Sequence, residues 1–482
     1  MWSNTAKFLN GIYEPLANEY HVHSLRVEGR IPDDLNGTLY RNGSNAKYEP
    51  SNVENFHWFD GDGMLHAFHL KDGRASYQNR WVQTEGLDVE DGEGRSLYNG
   101  IYSNAGVAQP PLPVGAPEFK LVANVNVVAL GRKIYALQES GDYWHQVDPV
   151  SLDVVRTFDF DGQVHAALTA HPHVDPKTGE TIFYIIDSDN LAIDFCSASP
   201  EGSLLTRHRV AIDAPSWLHD IIFTDDYYIV MLGPILWHNN LKDYTPYGHT
   251  SWDFDAELGT RIVVVNRHTG KSQSIQHDSY QINHYLNAYQ VGETIVLDGT
   301  RAEVTPPSGP IFVGDFFPFP MSDAPSPFSS PAVWRWTIDM AKGTVGHERI
   351  GDYIAEFPRP NETLLGSHHR FGYFAGTHAP KSALGQFNCL IKEDYDGKPS
   401  TFQYLTRDAD MSPGEPVFVP RENPVSEDDG YILAVWWDPL RNASELVIQD
   451  ARDFEGPPLA RVKLDHHVPL GFHGNWVPDP VA

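Results

Sequence analysis

The chain has 482 residues, with 64 acidic side chains against 35 basic ones and a formal net charge of −29. That balance opposes a nucleic-acid partner, which needs a basic footprint, and an anionic membrane surface would repel it. Hydrophobic residues make up 41%, and no low-complexity tract interrupts them, so nearly all of the chain is expected to fold.

Taken from the start, the first ten residues lack the apolar core of a signal peptide, and Cys196 and Cys389 are the only cysteines. A cytoplasmic location is the simplest expectation. The longest apolar run, Tyr227 to Trp237, has 11 residues, short of the roughly 18–20 that span a bilayer, so no transmembrane segment is expected.

Short runs rich in Val, Ile, Tyr, Phe and Trp alternate with Gly, Asn, Asp and Pro throughout, a pattern of many short strands. A loose repeat marks the turns at Asp148-Pro149, Asp175-Pro176, Asn266, Asp339 and Asp438-Pro439, each beside an apolar strand. Repeated hairpins without helix alternation predict an all-β propeller or large barrel as a single domain over residues 1–482. The 306–331 stretch is rich in proline and carries Phe312, Phe316, Phe317, Phe319 and Phe328. It reads as a packed connector, or as an apolar lid with weak membrane contact.

Four histidines stand in informative surroundings. His171 precedes Pro172 and a polar turn, and His219 follows Trp217-Leu218 and precedes Asp220-Ile221-Ile222-Phe223. His284 opens a mixed polar and aromatic run, and His473 stands between Gly471 and Gly474, where close backbone approach is cheap. They are 48, 65 and 189 residues apart, too far for a local metal motif. A propeller would bring such distant strands to one axis. Four neutral imidazoles would then hold a divalent metal, iron or zinc by ligand type. His173 and the pairs His368–His369 and His466–His467 are read as ordinary hydrogen-bonded residues, because adjacent strand residues face opposite ways.

These four segments resemble those of the carotenoid cleavage oxygenases, whose members include apocarotenoid and stilbene-cleaving dioxygenases and an isomerohydrolase. Further matches run along almost the whole chain: Phe59-Asp60-Gly61-Asp62-Gly63, Ala136-Leu137-Gln138-Glu139, Glu356-Phe357-Pro358-Arg359, Glu415-Pro416-Val417 and Glu427-Asp428-Asp429-Gly430. The resemblance implies a seven-bladed β-propeller capped by loops and short helices, with Fe(2+) on the axis held by His171, His219, His284 and His473. It implies supporting carboxylates at Glu139, Glu356 and Glu427, and cleavage of a conjugated C=C bond by O2 into two carbonyl products. Phe59 and Tyr102 match the ring-packing Phe and hydroxyl-binding Tyr of stilbene-cleaving relatives, while Gln138 replaces their Lys. Gln binds a hydroxyl without helping to ionise it. The expected substrate is therefore a small apolar or phenolic alkene, with aryl alkenes favoured over apocarotenoids. A metal-dependent isomerohydrolase and a non-catalytic propeller are the remaining alternatives.

Overall fold

The computed structural model describes residues 6–51, 53, 56–100, 111–139, 141–237, 252–304, 329–377, 387–397, 400–407 and 411–479. Tyr102 and nearly all of 306–331 lie outside them. Among the described residues, seven antiparallel sheets of four to six strands follow one another along the chain, the blades of a β-propeller. A two-stranded ribbon, Ile235–Trp237 with Trp252–Phe254, stands apart from them. No helix is long and apolar enough to cross a membrane among these residues.

The repeated Asp and Asn signals are hairpin turns, for a shared chemical reason. Asp148 Oδ1 accepts the amides of Val150 and Ser151, and Asn266 Oδ1 those of His268 and Thr269. Asp339 takes that of Lys342, and Asp438 those of Leu440 and Arg441. In each case a short side chain satisfies backbone donors that the reversing chain would leave open.

The chain forms two compact units, Met1–Asp159 with Gln386–Asn388 and Leu405–Ala482, and Phe160–Gly385 with Cys389–Tyr404. In the second unit, one sheet runs outward through Thr181–Asp187, Ala192–Ala198 and Leu204–Ala211. The first two strands are almost wholly buried, whereas Leu204–Ala211 alternates half-buried with exposed residues, as an outer strand should. The next sheets are built on Ile222–Phe223 through Ser272–His277 and on Tyr280–Val291 through Thr344–Arg349. Ile182, Phe195, Ile229, Val264, Leu297 and Trp336 belong to their shared core. Each such aliphatic side chain contributes about 1.5–3 kcal/mol by leaving water.

The first unit closes on itself through distant segments of the chain. Arg26–Gly29 pairs with Ala460–Lys463, and Gly37–Ser44 pairs with Gly474–Pro478. These strands bury Leu39, Phe68, Leu433, Ile448 and Val462 in one core.

Candidate metal centre

Three of the four histidines meet within the second unit. His171 lies between the short strands Ala167–Leu168 and His173–Val174, where its amide donates to Thr169 Oγ1 at 3.0 Å. His219 lies just before Ile222–Phe223, and the Tyr184 hydroxyl donates to the Leu218 and His219 carbonyls at 2.8 and 3.2 Å. His284 is carried by Tyr280–Val291 at a point where the pairing register shifts between Ile282 and Tyr285. Such a bulge re-aims a side chain that a regular pleat would point elsewhere.

The ring centroids of His171 and His219 are 4.3 Å apart, those of His171 and His284 5.2 Å, and those of His219 and His284 4.9 Å. Each of the three offers a nitrogen within 4.8 Å of the other two. The Nε2 atoms of His219 and His284 stand 3.1 Å apart. Adjacent nitrogen ligands of an octahedral ion, each roughly 2.1–2.2 Å from it, lie roughly 3.0–3.1 Å apart. The His219–His284 separation is therefore that of two adjacent nitrogen ligands on a divalent transition ion.

Glu356 fixes the orientation of His284. Its Oε2 lies 2.6 Å from His284 Nδ1 and 2.8 Å from its own neighbour, the Phe357 amide, and Thr300 Oγ1 donates to Oε1 at 2.9 Å. Phe357 takes a positive φ of 55° where the strand pairing breaks between Glu356 and Arg359, and its ring stacks on His284 at 5.7 Å. Burial pushes the Glu356 carboxyl up, but the His284 imidazole and the amide and hydroxyl donors outweigh it and hold it below the usual range. A carboxylate there makes Nδ1 the donor and leaves the Nε2 lone pair for a metal.

Asp220 is a second buried carboxylate that sequence reasoning missed. Its Oδ1 lies 3.0 Å from His173 Nε2 and accepts the Ile221 amide at 2.7 Å, while Oδ2 accepts the Tyr285 amide at 2.9 Å. One side chain thus joins the segments that carry His171, His219 and His284. Burial raises its pKa, yet the hydrogen bond and charge of His173, then His284 and the Tyr285 amide, hold the carboxyl below its ordinary value. His173 is a hydrogen-bonded residue, as expected, and its partner is Asp220.

In the first unit, His473 is 6% exposed and precedes Gly474–Pro478. The chain here is too close to its neighbour for larger residues: a Cβ on Gly474 would lie 2.6 Å from the Tyr40 carbonyl. His473 Nδ1 lies 2.9 Å from Glu415 Oε1, and Glu415 Oε2 accepts the Gly474 amide at 2.8 Å. The carboxylate on His473 is therefore Glu415, and the expectation of Glu427 is corrected. Glu427 lies half-buried on the polar turn before Gly430–Asp438. The distinguishing signal was in the sequence, because Glu415 adjoins the apolar run Val417-Phe418-Val419 whereas Glu427 sits among Ser426, Asp428 and Asp429. Glu139 is half-buried just beyond the strand Lys133–Leu137.

Of the expected substrate residues, Phe59 lies on the short turn Trp58–Asp60, its ring centroid 5.4 Å from that of Phe472, the neighbour of His473. It lines a cavity of about 80 Å³ together with Phe56, Tyr98, Asp62, Glu90 and Lys120. Lys120 is held between Asp62 and Glu90, so its charge is neutralised. Gln138 is 1% exposed, and its amide donates to the Tyr143 carbonyl at 2.8 Å. Its Oε1 has no hydrogen-bond partner among the described residues.

The family model described as retinal pigment epithelial membrane protein matches residues 13–478. The chain is 30% identical over 502 residues to the isoeugenol monooxygenase of Pseudomonas nitroreducens, covering 98% of each sequence. Among solved structures, the Pseudomonas brassicacearum lignostilbene dioxygenase superposes with a TM-score of 0.87 at 26% identity, covering 99% of this chain and 100% of that one. Cobalt-substituted apocarotenoid oxygenase of Synechocystis gives 0.84 at 29% identity, covering 98% of each chain.

Proposed function

From the premise that the chain belongs to the RPE65 and carotenoid oxygenase family, we propose that it is an Fe(2+)-dependent oxygenase that cleaves a conjugated C=C bond with O2. The observation that carries this reading is the cluster of His171, His219 and His284, with a buried Glu356 turning His284 Nε2 toward the other rings. His473 is the fourth ligand in this reading. Glu415 holds its Nδ1 as Glu356 holds that of His284, which leaves Nε2 as the metal-facing atom in both. Glu139 is the remaining candidate for a supporting carboxylate.

A ferrous ion, when bound, supplies open coordination positions at which O2 is activated. The protein's part is to keep four imidazoles neutral and rigidly aimed, and to hold one double bond of the substrate beside them away from water. The C=C bond is exchanged for two C=O bonds, one oxygen atom going to each carbon. Both electron pairs of the double bond leave with the products, so no external reductant is needed.

Aryl alkenes of the phenylpropenoid, vinylphenol or stilbenoid type are the favoured substrates. The Phe59–Phe472 pair puts an aromatic wall beside His473, and the buried Gln138 Oε1 is an acceptor for a phenolic hydroxyl. The similarity to the Synechocystis apocarotenoid oxygenase supports apocarotenoids as the second reading. The test is an aerobic screen of isoeugenol, vinylguaiacol, hydroxystilbenes and apocarotenals with ¹⁸O2 and aldehyde detection. Cleavage of the aryl alkenes is expected, and cleavage of apocarotenals alone would refute the substrate preference. Protein that stays inactive on every substrate after anaerobic ferrous reconstitution would refute the oxygenase reading itself.

A further inference from the structure

Two sheets of the second unit end on the outer strands Ser272–His277 and Thr344–Arg349. Neither strand belongs to the histidine cluster described above, yet together they present another group of metal-ligating atoms. His277, Asp278 and His347 each offer one nitrogen or carboxylate oxygen, and these atoms all lie within 4.8 Å of one another. His277 Nε2 and His347 Nδ1 are 3.3 Å apart, and their rings are inclined at 60° with centroids 4.8 Å apart.

That separation has a geometric meaning. Two nitrogens bound to a tetrahedral ion, each roughly 2.0–2.1 Å from it, lie roughly 3.3–3.4 Å apart. The rings are also held in place. Tyr280 packs edge-on against His277 at 5.5 Å, and Trp334 packs edge-on against His347 at 5.3 Å. Of the nearby cations, Arg301 is flanked by the same two rings, its guanidinium 4.0 Å from that of Tyr280 and 4.1 Å from that of Trp334, and it pairs with Glu303 at 2.9 Å. Asp278 is exposed and supplies the negative charge that a pair of neutral imidazoles lacks.

We propose that His277, Asp278 and His347 form a second metal site that takes a borderline divalent transition cation such as Zn2+ or Co2+. Two imidazoles and a carboxylate select such ions over Mg2+ and Ca2+, which prefer shells of oxygen. Water completes the coordination, since His347 and Asp278 face solvent. Because the ligands come from the outer strands of successive sheets, the ion acts as a strap between them. This site is independent of the oxygenase reading.

The test is a Co2+ titration of metal-free protein, followed by equilibrium dialysis and visible absorption. A tetrahedral Co2+ absorbs far more strongly than an octahedral one, so the two kinds of site are told apart by intensity. Wild-type protein should bind one equivalent more than H347A or D278N and develop intense bands that both variants lose, while H284A should keep them. Zn2+ should raise the thermal midpoint of wild type by more than that of H347A. The proposal is overturned if H347A and wild type bind the same number of equivalents, or if the intense bands survive in H347A. His347 and Asp278 are exposed, so both variants should fold, and the unliganded thermal midpoint verifies it.

Discussion

Replacing Asp220 by Asn tests whether one buried carboxylate sets the spacing of three ligand segments. The carboxylate receives three donors, at 3.0 Å from His173, 2.7 Å from Ile221 and 2.9 Å from Tyr285. Asn offers one acceptor oxygen, so whichever way the amide turns, its NH2 faces at least one N–H. A hydrogen bond to a charged group contributes about 1.5–3 kcal/mol, and losing one such bond should reduce folding stability by a similar amount. The backbone on either side carries His219 and His284, so the change should also lower metal affinity, by about 10–100-fold, as loss of a supporting partner typically does. Affinity is measured by competing Fe2+ or Co2+ against a chelator under anaerobic conditions, and stability by denaturant unfolding of the metal-free form. His173→Gln keeps a donor for Asp220 and should stay closer to wild type than His173→Leu. If D220N lost stability as expected while its metal affinity stayed within about twofold of wild type, Asp220 would be a packing residue with no hold on the ligand geometry.

The two glutamates near His473 make a paired test: E415Q should weaken metal binding about 10–100-fold, while E427Q should leave it unchanged. Removing an imidazole outright is harsher, and H219A is expected to lose its iron, as read by elemental analysis; a fully active H219A would sink the assignment of that residue. Acid should destabilise the fold through His57, which burial and then the Lys7 charge push down to about 3. Because the unfolded imidazole titrates near its usual 6.5, the stabilising effect of keeping His57 neutral is complete above that value. It is lost progressively as pH falls from 6.5 toward 3, by up to about 4–5 kcal/mol. In H57N, which keeps an acceptor for the Phe59 amide, stability should depend less steeply on pH across that window.

What the sequence could and could not disclose follows from the range of the interactions. The turns at Asp148, Asn266, Asp339 and Asp438 were legible because the bonds that form them span only two or three residues. The ligand histidines were legible from their immediate surroundings and their order. The identity of the carboxylate on His473 was legible only as a contrast between the apolar run beside Glu415 and the polar one around Glu427; both lie within sixty residues of His473, and the fold decides which one is buried against the ring. Asp220 was invisible. Its three donors come from residues 173, 221 and 285, and no local pattern links them. The register shifts that aim His284 and Glu356 likewise depend on partner strands that a single segment does not reveal.

The pairing of Gly37–Ser44 with Gly474–Pro478 has a consequence for how the molecule is made. During synthesis the early strand emerges long before its partner. At about 5–20 residues per second, the ribosome needs roughly 20–90 s to deliver the residues between them. Throughout that interval one edge of Gly37–Ser44 has no neighbour, and its residues are ones the finished fold buries completely. An open strand edge is a template for pairing with other chains. The yield of properly folded protein should therefore depend on temperature, on chaperone supply and on how quickly the last strand is translated.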